Sequence, residues 1–281
     1  MNHLLIFGLG FSGTAIAAQA RAAGFSVSAT TRSGAPACIP FDAAAPVILR
    51  ATHILTTAAP DAAGDPVLAR YGAEIAASGA RWFGYLSSTV VYGNRDGGWV
   101  DEDTPPAPTQ ERGARRVAAE QAWAALAGKA AVDLFRLAGI YGPGRSAFDD
   151  LRTGRARQTI KPGHQFGRIH RDDIARAVVA AMRQNPPPGR RVFNLSDDEP
   201  SESAAVIREA AALLGMSPPP AVPFEQAAAS MSPMARGFWA ENRKVACTKT
   251  KAALSLAWRY PTYREGLRAI LAEEAADRPV E

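Results

Sequence analysis

His3-Leu4-Leu5-Ile6-Phe7, running into Gly8-Leu9-Gly10-Phe11-Ser12-Gly13, decides the fold. The apolar run has the composition of a strand, the glycines follow the spacing G-x-G-x-x-G, and an alanine-rich stretch of helical character comes next. Gly8 permits a tight turn, Gly10 lets a pyrophosphate approach the backbone, and Gly13 lets a helix expected over Thr14 to Ala23 pack on the strand. Such a helix aims its first N–H groups at phosphate. The glycines alone are a weak signal. Here a strand precedes them, a helix follows, and Phe25-Ser26-Val27-Ser28-Ala29 supplies the second strand of a βαβ unit.

That second strand ends at Thr30-Thr31-Arg32. An NAD site places Asp or Glu about twenty residues beyond the glycines to hold the adenosine ribose hydroxyls. No carboxylate stands at these positions, whereas the Arg32 fork of N–H donors and the Thr31 hydroxyl match a 2′-phosphate. NADP is therefore expected over NAD, with a solvated turn as the alternative role for Arg32. Phe11 and Ser12 within the turn, together with Asp42 and Ala58 after the next two strands, belong to the expected cofactor-facing set.

The chain has 281 residues, of which 47% are hydrophobic, enough for an α/β core and a smaller appendage. No run approaches the roughly eighteen apolar residues of a membrane span, and no basic segment with a cleavage site opens the chain. A cytoplasmic protein without a membrane partner is expected. Cys38 and Cys247 stand far apart without metal-ligand spacing, so neither a disulfide framework nor a metal site is indicated. The net charge of +5 raises the question of nucleic acid. The arginines are interleaved with acids along most of the chain, a pattern of solvated faces, so no nucleic-acid partner is expected. A local positive field suits an anionic cofactor or substrate equally well.

Strands and helices alternate after the first unit. His53 to Thr57 and Trp82 to Leu86 read as buried strands, Pro66 to Ser78 as a helix between them, Glu111 to Leu126 as a helix, and Val132 to Leu137 as a strand. The alternation implies an α/β, Rossmann-type doubly wound parallel sheet with its chemistry at the carboxyl ends of the strands. Residues 1–195 form the expected dinucleotide-binding domain, with an excursion over 145–167. Residues 196–281, interrupted by Pro218 to Pro223, form a small C-terminal substrate or lid domain. Asp172 or Asp173 is expected to cap a helix reaching Met182, and Ser201 to cap one reaching Leu214.

Several segments together resemble the extended epimerase/dehydratase branch of the short-chain dehydrogenase/reductase superfamily, over nearly the whole chain. Leu86-Ser87-Ser88-Thr89-Val90-Val91-Tyr92-Gly93 is similar to its strand-end SS...VYG, Arg136-Leu137-Ala138-Gly139-Ile140-Tyr141-Gly142-Pro143-Gly144 to its R...IYGPG loop, and Arg168-Ile169-His170-Arg171-Asp172-Asp173 to its IHxxD segment. The resemblance implies that Tyr141 and Pro143 line the cofactor and that Ser88 polarises the reacting carbonyl or hydroxyl. In the family a Tyr and a Lys four residues later complete the chemistry, the phenol passing a proton as hydride moves. Here Arg112 occupies the Tyr position and Arg116 the Lys position. A guanidinium does not release its proton, so Arg112 offers only hydrogen bonds and positive charge, while Arg116 can still hold the nicotinamide ribose.

The proton then has to come from elsewhere. Tyr92 is the first candidate, His170 the second and Tyr141 the third; a packing or scaffold role is the alternative for each. Arg145, Arg168, Arg243 and Lys244 offer cations toward the substrate. Phe166 stands where sugar-nucleotide enzymes of the branch carry a diphosphate-binding Arg, which points away from a nucleotide-sugar and toward a smaller anionic or sugar-like substrate. Two function classes remain open: an NADP-dependent oxidoreductase or epimerase/dehydratase-like enzyme acting on a small molecule, and a non-catalytic NADP-binding sensor. The resemblance also implies a homodimer, for which Trp123 and Leu126 offer a contact, although core packing accounts for the same residues.

Overall fold

Seven strands pair in parallel: β1 (His3–Phe7), β2 (Ser26–Thr31), β3 (Ile39–Pro40), β4 (His53–Thr56), β5 (Trp82–Ser88), β6 (Ala131–Leu137) and β7 (Gly189–Leu195). Their spatial order is β3-β2-β1-β4-β5-β6-β7 in the computed structural model, which describes residues 2–31 and 38–276. The chain steps outward from β1 to β3 and then restarts on the other side with β4. A crevice opens where that direction reverses, beyond the carboxyl ends of β1 and β4.

Six helices carry the layers and the wall of that crevice: α1 (Phe11–Ala22), α2 (Pro66–Ala77), α3 (Glu111–Ala124), α4 (Arg171–Arg183), α5 (Ser203–Leu213) and α6 (Tyr263–Ala276). Strand alternation sends Leu4 and Ile6 to one face, where they join Phe135, Phe193 and the small residues of α1 and α4. Leu5 and Phe7 go to the other, against Tyr71 and Ile75 of α2 and Trp123 of α3. Gly84 on β5 has no side chain because the Trp82 ring lies across it; a Cβ there would sit 2.2 Å from Trp82 Cη2. Asp133, wholly buried on β6, is held by the Trp82 indole at 2.6 Å and by two bonds from Arg191 on β7.

Three details depart from the sequence expectations. Helix α1 starts at Phe11 rather than Thr14, so its first turn falls inside the glycine motif. Helix α4 is capped by His170, whose Nδ1 accepts from the Asp172 amide at 3.2 Å, and not by Asp172 or Asp173. Asp173 is instead taken inward, where its carboxylate accepts the Arg259 and Tyr260 amides at 2.8 and 2.9 Å. Helix α5 starts at Ser203 without a side-chain cap, because Ser201 is engaged in a backbone bridge with Phe166.

The C-terminal residues divide their packing. Helices α5 and α6 close a separate apolar cluster with Tyr141, Phe148 and Leu151. Cys247, Leu254 and Trp258 return to the sheet and join the α1/α4 face. Lys244 and Val245 pair with Trp99 and Val100, tying this return to the loop after β5. Trp123 is fully buried with its indole N–H on Asp65 Oδ2 at 3.1 Å, so it belongs to the core rather than to an exposed helix face. No helix among the described residues is long and apolar enough to cross a membrane.

Candidate active site

The glycine turn is built by mutual exclusion of side chains. Gly8 has φ +99°, and a Cβ on Gly13 would stand 2.4 Å from the Gly8 carbonyl oxygen, so helix and turn touch backbone to backbone. Thr57, just past β4, secures the same carbonyl with a hydroxyl donated at 2.7 Å. The Gly8 and Leu9 amides both donate to the Thr30 carbonyl. Gly10 is the N-cap of α1 and brings no capping side chain, and nothing stands within 4 Å of where its Cβ would be. Uncapped first-turn amides facing open space are the donor set a pyrophosphate needs, so these residues fit a dinucleotide.

A cleft of about 870 Å³ extends from this turn. Gly10, Phe11 and Ser12 line it at one end, and Ser88, Arg112 and Arg116 line it beyond the tip of β5. Tyr141 lines it too, as do Arg145, Arg168 and Arg243. The structure thus gathers Gly10, Phe11, Ser12, Ser88, Arg112, Arg116 and Tyr141 of the sequence-derived set around one space, while Gly8, Gly13 and Thr31 do not line it. Ala58 sits between the lining residues Thr57 and Ala59, while Asp42 and Pro143 are not among the lining residues. Arg32, which carries the preference for NADP, lies outside the described residues; Thr31 ends β2.

Ser88 caps the short turn Thr89–Tyr92, its Oγ accepting from the Val90 amide at 3.3 Å. Accepting leaves the hydroxyl hydrogen free to be donated into the cleft. Arg116 is anchored to β5, donating to the Leu86 carbonyl at 2.8 Å and to the Tyr85 phenol at 3.1 Å. Arg112, one helical turn earlier on the same face of α3, lies with its guanidinium carbon 4.2 Å from the centre of the Phe238 ring.

The three candidate proton carriers go elsewhere. Tyr92 is turned under the sheet end, its hydroxyl 2.7 Å from Asn194 Oδ1 and 2.8 Å from the Asp101 carbonyl, and it does not line the cleft. Burial, opposed by the Arg136 charge, raises its pKa. The VYG turn placed it close to Ser88 in sequence, but the tight turn after Ser88 swings the ring toward β7. His170 is spent on the α4 cap, packed edge-on against Tyr141, and burial lowers its pKa. Burial also pushes the Tyr141 phenol far above the ordinary range, with Asp197 and Asp173 adding to the shift.

Sequence reading did not find Gln165, Phe238, Trp239 or Glu241, which form the far wall of the cleft. Gln165 and Glu241 come from irregular segments, and Phe238 and Trp239 end a seven-residue helix, Pro233–Trp239, too short to show a periodic apolar face. Thr57 was seen only as a strand end.

Asp197, just after β7, is 1% exposed, with Oδ2 unpartnered beside the buried Ser196 hydroxyl. Burial pushes its pKa up to about 8, outweighing the Arg168 charge and the Arg168 amide, and Asp198 and Glu199 push the same way. Between about pH 4 and 8 the folded protein therefore holds a proton that the unfolded chain releases. Stability should fall as pH rises through that window. Asp197→Asn, which mimics the protonated acid, should flatten the fall: its melting temperature should exceed wild type at pH 8 and match it near pH 4. Parallel melting curves across this range for the two proteins would remove the assignment.

No family model matches the chain. A functionally unknown conserved protein from Silicibacter pomeroyi DSS is 42% identical, with a TM-score of 0.86 over 99% of this chain and 100% of that one. This chain and that protein belong to one family. Human epimerase family protein SDR39U1, solved with NADPH, superposes with a TM-score of 0.77 at 19% identity, covering 96% of this chain and 99% of that one. The two share one fold. Protein YeeZ of Escherichia coli (strain K12) is 32% identical over 139 residues, 48% of this chain and 47% of YeeZ, so the match spans about half of that curated relative. Within this fold, the glycine turn and the β5 tip line one cleft, and α3 presents Arg112 and Arg116 to it.

Proposed function

We propose that the protein is an NADP-dependent oxidoreductase or epimerase/dehydratase-like enzyme acting on a small carbonyl, hydroxyl or sugar-like substrate. The observation that carries this reading is the opening of Ser88 and the uncapped start of α1 onto one cleft. The α1 amides would hold the pyrophosphate, and Arg116 the nicotinamide ribose. When bound, the nicotinamide supplies a hydride donor or acceptor. Ser88 donates its free hydroxyl hydrogen to the substrate oxygen and so stabilises negative charge growing there, and Arg112 is an anion-stabilising donor that adds positive charge to the cleft without itself transferring a proton. The proton that completes a reduction then comes from solvent through the open cleft, since no phenol or imidazole of ordinary pKa lines it among the described residues.

The absence of a phenol or imidazole of ordinary pKa from the cleft lining among the described residues also supports a second reading, a cofactor-binding sensor without turnover. NADPH oxidation across panels of aldehydes, ketones and sugars separates the two. An enzyme should show turnover that Ser88→Ala lowers by roughly 10²-fold or more, the size of removing one positioned donor, with NADPH affinity unchanged. Tight NADPH binding without turnover on any panel would leave the sensor. Equal affinity for NADH and NADPH would remove the NADP preference.

A further inference from the structure

Among the described residues five arginines line the cleft, Arg112, Arg116, Arg145, Arg168 and Arg243, against one carboxylate, Glu241. Three of the five donate hydrogen bonds to the protein, and a fourth, Arg145, is exposed to solvent. Arg116 is bonded to β5. Arg145 lies over the ring of Phe11, 5.6 Å from its centre, beside the turn that would hold the pyrophosphate. Arg168 donates to the Phe166 carbonyl at 2.9 Å. Arg243 donates to Glu241 at 2.7 Å and to the Gly93 carbonyl at 2.9 Å. Both oxygens of Glu241 are engaged, since its other oxygen accepts from the Thr109 hydroxyl at 2.7 Å.

Arg112 is the exception. Its Nε is buried without a partner, and among the described residues its guanidinium meets no carboxylate or carbonyl. One face rests on Phe238, leaving the donor edge for the cleft. An unpaired guanidinium with a desolvated donor is costly unless a ligand completes it. The charge of Arg112 also reaches Arg243, whose pKa is lowered first by burial and further by Arg112 and Arg95, against the support of Glu241. Two cations therefore converge on a space whose one carboxylate is already committed.

We propose that Arg112, backed by Arg243, is the subsite for an anionic group on the substrate, a carboxylate or a phosphate, with Phe166 and Trp239 covering the attached carbon skeleton. The proposal deepens the reading above and rests on it for the word substrate; the anion subsite itself is tested without turnover. A planar guanidinium fork meets a carboxylate or phosphate through two parallel hydrogen bonds, which an ammonium does not reproduce.

The test is calorimetric titration of the NADPH-saturated full-length protein with inorganic phosphate and, separately, with acetate, against sodium chloride at matched ionic strength. At least one probe should bind with a Kd of roughly 10 mM or tighter. Arg112→Gln should weaken it about tenfold or more, and Arg112→Lys less than Arg112→Gln. Arg115→Gln, which removes an exposed cation paired with Glu111 on the same helix, should change it less than about twofold. Tighter phosphate assigns a phosphorylated substrate, and tighter acetate a carboxylate. Absence of binding by both probes, or equal affinity in wild type and Arg112→Gln, would overturn the subsite. If wild type fails to bind NADPH the proposed function falls, and the same titrations on cofactor-free protein still decide the subsite.

Discussion

Arg136→Met is expected to destabilise the protein by about 3–5 kcal/mol, read as a lower urea midpoint at unchanged slope. Arg136 on β6 is 4% exposed and forms two bonds to Glu120 of α3, itself 4% exposed, at 3.0 and 2.8 Å. The Ser87 hydroxyl takes the same Glu120 carboxylate at 2.6 Å, and the Tyr92 ring lies 4.8 Å from the guanidinium carbon. Removing the cation leaves a carboxylate desolvated and supported by one hydroxyl. The cost arises from that stranded charge more than from the lost attraction, because the intact pair also bears the desolvation of both ions. The double variant Glu120→Met with Arg136→Met should therefore recover most of the loss. A single-variant cost under about 1 kcal/mol would show that water reaches Glu120. The position matters for the cleft as well: Glu120 lies on α3, the helix that carries Arg112 and Arg116, and its bonds to Arg136 and Ser87 tie that helix to β6 and to the end of β5 beside Ser88.

The centre of the sheet was legible because its strands are buried almost throughout and so read as apolar runs, as in Trp82–Leu86. The glycine turn was legible because each glycine answers a steric demand visible in the spacing. The cap of α4 was not, since Asp172 and Asp173 follow the usual preference and an imidazole lone pair at His170 took the role instead. Nor was the direction of Tyr92. Its sequence proximity to Ser88 gives no information about a turn that hands its phenol to Asn194, whose own amide donates to the Thr250 hydroxyl at 2.8 Å. That network joins three distant parts of the chain, and only tertiary packing specifies it.

The substrate side was half legible. Arg112 could be read from its place in a familiar spacing, but its lack of a partner depends on where Glu241 spends its two oxygens. A sequence shows which residues can bear charge; which charges are left unmatched is settled by packing.

Gly13→Val should lower NADPH affinity at least about a hundredfold, equivalent to roughly 2.7 kcal/mol, and lower stability by about 1–3 kcal/mol. The new Cβ would fall 2.4 Å from the Gly8 carbonyl oxygen, and that carbonyl is fixed by the Thr57 hydroxyl and by a φ of +99° at Gly8. Neither side yields locally, so α1 has to withdraw from β1. Withdrawal presses Ile16, Ala17 and Ala20 into the close packing with Ala177, Val178 and Ala181 of α4, and it retracts the first-turn amides from the cleft. Gly10→Ala separates the two consequences. Nothing stands within 4 Å of its Cβ, and its backbone, with φ −89°, is ordinary for alanine, so stability should hold within about 0.5 kcal/mol. The new methyl group points into the space a pyrophosphate would occupy, and NADPH affinity should fall while the melting temperature stays put. A Gly10→Ala protein that binds NADPH like wild type would show that no pyrophosphate approaches this turn, and the assignment of α1 as its cradle would fail with it.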